Sequence, residues 1–347
     1  MQDRSVINQK VFITGATSGI GKACALYYLN SGAKVILCGR DLQTLKKIGQ
    51  SFPEQAAILK LDLVKELPDF DLKGTVSKIF DSLDVIINCA GVIFEGDVET
   101  TYLRDYEYLI DLNLKANFYI MVGLKDLLKK GGSIVNLSCL YGTKPHSGIM
   151  GHCMSKKGLE AMTKYAAAEF APSGIRVNAV TACPVDTNSQ RYVGVSESEY
   201  SQFRERVSQN IPLGRMAHPD EVAKSIIFLA SQRASRITGI VLKCDGGRSL
   251  TKSGFFPWKG LKEMNARFEP DGYNLTVTTN KIWNQITGKK EEEIKFPLNE
   301  EKIEELCQQS NWATRLSEAH EKIGANYKNI EQNNEYLKEN FTNKSNK

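Results

Sequence analysis

The stretch TGATSGIG, residues 14–21, follows the short apolar run Val11–Thr14 and precedes a segment of helical pattern that extends from Gly21 to Ser31. Glycines at such a point let the backbone turn tightly and let a pyrophosphate come close to the main chain. A helix N-terminus adds unpaired N–H groups and the positive end of the helix dipole. The stretch therefore predicts a strand–turn–helix unit that binds a dinucleotide.

The alternation of short apolar runs and helical segments continues as far as Leu250. The further predicted strands are Lys34–Cys38, Ala57–Leu61, Val85–Asn88, Ser133–Ser138, Arg176–Thr181 and Val241–Lys243. Helical periodicity is clearest over Tyr106–Leu128, His152–Phe170 and Glu221–Ser231. Nearly continuous apolar strands between helices predict an α/β fold, a Rossmann-like doubly wound parallel sheet.

Composition limits the classes of partner and cofactor. The 347 residues carry a net charge of +5, and no basic run is interleaved with aromatic residues, so we expect no nucleic-acid partner. No apolar stretch approaches the ~20 residues of a membrane span. The four histidines show no metal-ligand spacing, so no metal is expected.

The eight cysteines bear on localisation. They occur singly and never as a C-x-x-C pair, which predicts free thiols in a reducing, intracellular compartment. Regular α/β sequence begins by Lys10, so we expect no cleavable leader before it. The cytoplasm is the preferred interpretation, and an organelle matrix stays open.

Residues 251–347 differ from the rest of the chain in being rich in Asn, Lys and Glu. We therefore divide the chain into a dinucleotide-binding domain, 1–250, and a mainly helical C-terminal extension, 251–347. An apolar stripe recurs every seven residues in the extension at Leu316, Ile323, Ile330 and Leu337. The stripe predicts an arm that binds a protein partner or a second copy of the chain. A disordered tail is the alternative.

Four further motifs follow the glycine-rich stretch in order. Asp62 ends the third predicted strand, Asn88-Cys89-Ala90-Gly91 follows the fourth, Asn113 lies in a helical segment, and Asp245-Gly246-Gly247 follows the last strand. With these motifs the chain resembles the short-chain dehydrogenase/reductase (SDR) family over residues 1–250. The resemblance implies the family's fold and a nicotinamide dinucleotide cofactor.

The resemblance also implies which residues hold the cofactor. Asp62 would bind the adenine amino group, Lys156 the nicotinamide ribose and Thr187 the carboxamide. The full set is Thr14, Gly15, Ser18, Gly19, Ile20, Gly21, Arg40, Asp62, Asn88, Ala90, Gly91, Lys156 and Thr187.

The end of the second strand indicates which dinucleotide is preferred. NAD-preferring sites hold the ribose 2′-hydroxyl with an acidic residue there, but this chain has Gly39 followed by Arg40. A guanidinium suits a 2′-phosphate, so the pair predicts NADP(H). The alternative is that Arg40 is a solvated surface residue.

The catalytic positions depart from the family pattern. The family uses Y-x-x-x-K, with a Ser thirteen residues before the Tyr. Here the Lys is Lys156 and Asn113 is retained, but the Tyr position holds His152 and the Ser position holds Cys139. Ser138 is adjacent on the strand, so its side chain is expected to point to the opposite face.

Two functions compete on this evidence. An imidazole can act as a general acid near neutral pH, but it is shorter than a phenol, and a thiol is a weak donor. The first hypothesis is therefore a catalytically impaired member that serves as a structural or accessory subunit of a larger assembly, with NADP(H) binding left open. The alternative is an NADP-dependent oxidoreductase that reduces a carbonyl substrate with a modified site. A thiolate–imidazole nucleophile is a third, weaker interpretation.

Overall fold

The computed structural model describes residues 6–251, except 95, 97, 100, 145, 147, 183 and 188–196. Its centre is a seven-stranded sheet in the order β3-β2-β1-β4-β5-β6-β7, in which all neighbouring strands are parallel. The strands are β1 Lys10–Thr14, β2 Lys34–Gly39, β3 Ala56–Lys60, β4 Leu83–Asn88, β5 Leu128–Cys139, β6 Arg176–Ala182 and β7 Val241–Cys244. The predicted doubly wound fold, with all seven predicted strands, is confirmed.

Helices cover both faces of the sheet. They are α1 Gly19–Asn30, α2 Leu42–Ser51, α3 Leu72–Ile79, α4 Leu103–Ile110, α5 Ala116–Leu124, α6 Met150–Phe170, α7 Glu197–Ser208 and α8 Pro219–Ala230. Buried side chains of α1, α2 and α8 form one core, and those of α3, α4, α5 and α6 form the other. Strand order reverses between β1 and β4, where ligands of such sheets bind at the carboxyl ends of the strands.

The apolar strands are explained by burial on both faces. In β1, Val11 and Ile13 belong to one core and Phe12 belongs to the other, and all three are fully buried. Because successive side chains of a strand point to opposite faces, a strand between two helical layers needs an unbroken apolar run. This requirement is why sequence patterning located the strands to within two residues in most cases.

The segment predicted to be helical over Tyr106–Leu128 is helical almost throughout, but not as one α-helix. A π-helical turn, Asp111–Lys115, separates α4 from α5, and α5 ends at Leu124. The Asn113 side chain within this turn is buried and bonds the backbone of Val92, so the widened turn places the amide against the loop after β4. Such π-bulges are frequent at functional sites.

The predictions for the C-terminal extension lie outside the described residues. These are the boundary at residue 250, the stripe through Leu316, Ile323, Ile330 and Leu337, and the mainly helical character of 251–347. In the part of the chain that the structure describes, no helix is long and apolar enough to cross a membrane.

A buried arginine joins the C-terminal end of α8 to the sheet. Arg176, the first residue of β6, donates from Nη1 to the carbonyls of Leu229 at 2.7 Å and Ile237 at 3.2 Å. Its Nη2 donates to the carbonyls of Ala230 and Ser231, both at 3.1 Å. The last carbonyls of a helix lack intrahelical partners, so this guanidinium satisfies the C-terminus of α8.

We predict that Arg176→Met lowers the free energy of unfolding by about 3 kcal/mol, because it leaves buried carbonyls without donors. The matched control is Arg236→Met, at an exposed position, which is expected to stay within about 0.5 kcal/mol. Chemical denaturation of both variants measures the difference. Equal stabilities for the two variants would contradict this account of Arg176.

Candidate active site

The glycine-rich turn after β1 is built by close backbone approach. Gly15 and Gly19 have φ of +66° and +50°, in the region that favours glycine. A Cβ on Gly21 would lie 2.3 Å from the carbonyl oxygen of Gly15. The helix α1 can therefore start directly beside the turn only because residue 21 has no side chain.

The turn is fixed to the loop that follows β4. The Thr14 hydroxyl oxygen accepts hydrogen bonds from the backbone N–H groups of Cys89 and Ala90, both at 3.1 Å. Asn88 connects β4 to β5, because its amide nitrogen donates to Oδ1 of Asn136 at 2.9 Å. Thr14 and Asn88 thus hold β1, β4 and β5 in register beneath the site.

The N-terminus of α1 is available to an anion. Its N-cap residue, Ser18, makes no side-chain capping bond, and the first turn contains no acidic residue. By contrast, side chains of Asp41, Asp71 and His218 cap α2, α3 and α8. Ile20 packs its side chain on the core and so leaves only its backbone to the site. These features fit a pyrophosphate at the start of α1.

Arg40 and Asp62 lie together beyond β2 and β3, as the resemblance implies for the adenosine half. Arg40 Nη1 donates to the Tyr108 hydroxyl at 2.9 Å, and Asp62 Oδ1 accepts from the backbone N–H groups of Val64 and Lys65 at 2.9 and 3.2 Å. Burial raises the pKa of Tyr108. The Arg40 charge opposes this upward shift, and the Asp62 charge adds to it. Tyr108 carries no recognisable signal in the sequence, since its contact with Arg40 depends on how α4 packs.

Gly39 fits closely against the glycine-rich turn. A Cβ at residue 39 would lie 3.1 Å from Cγ2 of Thr17. An acidic side chain at this position would therefore have to displace Thr17, besides repelling a phosphate. The site therefore has little room for any side chain at residue 39, next to Arg40.

His152 is held by a backbone carbonyl. Its Nδ1 lies 3.0 Å from the oxygen of Val92, and the side chain is buried. A carbonyl only accepts hydrogen bonds, so Nδ1 carries a hydrogen and Nε2 is the nitrogen that can gain or lose a proton. The orientation of the ring is thus set by the loop after β4.

Asn113 is bound to the same stretch of backbone. Its Oδ1 accepts from the Val92 N–H at 2.9 Å, and its Nδ2 donates to the Val92 carbonyl and to the Ser155 hydroxyl, both at 3.0 Å. Val92 and Ser155 were not singled out in the sequence. Their roles follow from tertiary contacts, because Val92 contributes only main-chain atoms.

Lys156 lies one helical turn after His152 and is buried. Its Nζ donates to the carbonyl of Leu137 at 2.8 Å. A Cβ on Gly91 would lie 3.2 Å from this Nζ and 2.9 Å from Oδ1 of Asn113, so the structure brings both retained residues to Gly91. Burial lowers the pKa of Lys156.

Ser138 and Cys139, the last two residues of β5, have different neighbours. Ser138 Oγ donates to Oε1 of the buried Glu160 at 3.0 Å, behind the site. Cys139 is half-buried, and its thiol in the ionised form would oppose the lowering of the Lys156 pKa. Ser138 is therefore engaged by Glu160, whereas the charge on an ionised Cys139 would act on Lys156.

Thr187 reaches the glycine-rich turn from β6. Its Cγ2 lies 3.4 Å from the position of a Cβ built on Gly19. The segment after β6 therefore crosses the start of α1. Strand β6 ends at Ala182, and the next residue, Cys183, lies outside the described residues. Within the described part of the chain, no group of three or more His, Cys, Asp or Glu side chains could hold a metal ion.

We predict that Gly21→Ala abolishes dinucleotide binding and lowers the thermal transition, because the added methyl group cannot be accommodated beside Gly15. The control is Gly123→Ala in α5, where the nearest atom to the new Cβ is a Leu72 methyl carbon at 3.8 Å. This control is expected to be neutral or to stabilise by up to about 1 kcal/mol. Calorimetric titration with NADPH and NADH measures binding, and unchanged affinity in Gly21→Ala would refute the close-approach argument.

Sequence comparison identifies relatives across the domain that carries this site. A family model described as enoyl-(acyl carrier protein) reductase matches residues 15–249. The 3-oxoacyl-(acyl-carrier-protein) reductase of Rickettsia prowazekii is 35% identical over 237 residues, which cover 68% of this chain and 94% of the relative. The NAD-dependent glycerol dehydrogenase of Listeria innocua is 30% identical over 251 residues, covering 72% and 97%.

Solved structures share the fold. The ligand-free aldohexose dehydrogenase of Thermoplasma acidophilum has a TM-score of 0.65 and 26% identity, covering 72% of this chain and 97% of that one. A glucose/ribitol dehydrogenase-type SDR from Brucella melitensis has a TM-score of 0.65 and 28% identity, covering 70% and 98%. From its motifs, its sheet and these relatives, the chain belongs to the short-chain dehydrogenase/reductase family.

Proposed function

We propose that this chain is an NADP(H)-dependent oxidoreductase that reduces a carbonyl compound, with His152 as the proton donor. The observation that carries the proposal is the fixed ring of His152, whose Nδ1–H is bound to Val92 so that Nε2 is the atom that exchanges a proton. Relatives named as reductases and dehydrogenases support this function over the first hypothesis, a catalytically impaired accessory subunit.

The chain's own residues divide the work of the reaction. When bound, the reduced nicotinamide supplies the hydride that adds to the carbonyl carbon. Protonated His152 gives its Nε2 proton to the carbonyl oxygen, which completes the alcohol, and the neutral ring regains a proton from solvent. The Val92 carbonyl faces Nδ1–H and stabilises the charged ring before transfer.

Lys156 and Cys139 modulate this step. Lys156 lies one helical turn after His152, and the Leu137 carbonyl holds its Nζ where it would bind the nicotinamide ribose. Cys139 offers a weak S–H donor in place of a hydroxyl, so it would stabilise the substrate oxygen less than a Ser.

We predict that His152→Ala lowers kcat for NADPH-dependent carbonyl reduction by about 10²-fold or more, because it removes the general acid. The panel contains an acetoacetyl thioester, aldohexoses and dihydroxyacetone, and NADPH absorbance is followed. His218→Asn is the control, since His218 is an exposed N-cap residue of α8 and Asn also caps helices.

The accessory-subunit hypothesis predicts the opposite pattern. It is favoured by the presence of His152 and Cys139 at the family's Tyr and Ser positions, and on it no member of the panel would be reduced. The double change Cys139→Ser with His152→Tyr should then create turnover where the unmodified chain has none. Turnover that is equal in the unmodified chain and in His152→Ala would contradict the role given to His152.

We further predict that the chain binds NADPH more tightly than NADH, and that Arg40→Ala weakens NADPH binding about tenfold or more with little effect on NADH. Tyr108 orients the Arg40 guanidinium, and a charge-assisted bond to a 2′-phosphate of about 1.5 kcal/mol corresponds to that factor. Calorimetric titration measures both, with exposed Arg236→Ala as the control. A preference for NADH would contradict the Arg40 argument.

The extension, residues 251–347, stays proposed as an arm that binds a protein partner or a second copy of the chain. This part of the proposal rests on the seven-residue apolar stripe in the sequence. It is independent of the oxidoreductase function, because the proposed site lies within residues 14–187.

A further inference from the structure

Helix α7 packs as a unit apart from the two main cores. Its buried side chains form a small apolar cluster of their own with the segment that leads to α8. The members are Tyr200, Phe203, Val207, Ile211 and Met216. Specific contacts to the rest of the domain therefore decide where α7 sits.

Asp186 makes such contacts with both of its carboxylate oxygens. The Tyr200 hydroxyl donates to Oδ1 at 2.5 Å, and Arg204 Nη1 lies 3.6 Å from Oδ2. Tyr200 is almost fully buried, whereas Arg204 is largely exposed. A short hydrogen bond from a buried donor to a carboxylate is strong, and an exposed ion pair at 3.6 Å contributes little. Tyr200 is thus the principal partner of Asp186.

The backbone around Asp186 is fixed from the other side. Its N–H donates to the carbonyl of Ala217 at 2.8 Å, and the Ala217 N–H donates to the carbonyl of Pro184 at 3.1 Å. The segment after β6 is therefore clamped between residue 217 and α7. The next residue of this clamped segment is Thr187, whose side chain lies against Gly19.

The geometry of the cleft shows which half of a dinucleotide would meet this segment. Arg40 and Asp62 lie beyond β2 and β3, on one side of the α1 N-terminus. With the pyrophosphate at that N-terminus, the second half extends over β4, β5 and β6, because strand order reverses between β1 and β4. Thr187, Lys156 and His152 all lie on this second side.

We propose that Asp186 and Tyr200 are positioning residues for the nicotinamide half of the cofactor. They hold the segment that carries Thr187 and so link the placement of α7 to binding of that half. The inference rests on the cofactor of the proposed function. It adds a mechanical connection between α7 and the cleft.

Thermodynamic linkage makes the connection reciprocal. If the Asp186–Tyr200 contact favours binding of the nicotinamide half, binding of that half must stabilise the contact by the same free energy. NADPH should therefore slow hydrogen exchange of backbone amides in residues 200–208, and a ligand without a nicotinamide half should not. Adenosine 2′,5′-bisphosphate is such a ligand.

The test compares Tyr200→Phe with the unmodified chain, using NADPH and adenosine 2′,5′-bisphosphate as separate ligands in calorimetry. Phe keeps the apolar ring but removes the donor to Asp186. We expect NADPH binding to weaken at least about fivefold, the lower end of typical coupling factors, with unchanged binding of the bisphosphate. NADPH should also no longer protect residues 200–208 from exchange. Exposed Tyr165→Phe on α6 is the control and should alter neither ligand.

Two results overturn the inference: unchanged NADPH affinity in Tyr200→Phe, or equal weakening of both ligands, which would show a general structural effect. Should Tyr200→Phe not fold, Asp186→Asn tests the same link, because it removes the charge that contacts Tyr200 and Arg204. Weaker NADPH binding with unchanged binding of the bisphosphate is expected again. Failure of the proposed function is distinguishable, because it is read from turnover of the carbonyl panel by the unmodified chain and not from binding of these two ligands. No binding of NADPH by the unmodified chain would overturn both.

Discussion

The close approach of three backbone segments at Gly15, Gly21 and Ala90 is the constraint on which the rest of the structure depends. Side chains at residues 15 and 21 would collide with main-chain atoms. Only glycine at these positions therefore lets α1 start directly beside the turn after β1, against the loop that follows β4. The Thr14 hydroxyl then fixes β1 to the loop after β4. The positive end of α1 and the loop that orients His152 are placed by this one contact.

The proposed catalytic residues are held mainly by backbone atoms. Val92 binds both His152 and Asn113, and the Leu137 carbonyl binds Lys156. None of these contacts requires a Tyr at position 152 or a Ser at position 139. The fold therefore holds Asn113 and Lys156 in place although His152 and Cys139 occupy those two positions. The same arrangement allows an imidazole to be oriented for proton transfer, which is the basis of the proposed function.

Sequence patterning located the sheet because every strand lies between two apolar layers, and the motifs located Gly15, Asn113 and Lys156. It predicted helical structure over Tyr106–Leu128 but not the π-turn within it, since that turn depends on the tertiary contact of Asn113 with Val92. Three further contacts could not be predicted from the sequence. They are the bond that orients the His152 ring, the Tyr108–Arg40 bond and the Tyr200–Asp186 bond. Each of these joins residues that are distant along the chain, and no local pattern encodes such a distance.

The most direct measurement of the central claim follows the hydride itself. NADPH deuterated at C4 of the nicotinamide, on each face in turn, is incubated with the purified chain and the carbonyl panel, and products are analysed by mass spectrometry. The account predicts an alcohol that carries deuterium on the former carbonyl carbon from one face only, and loss of this product in His152→Ala. Product without deuterium from either face, or no alcohol from any member of the panel, would contradict it.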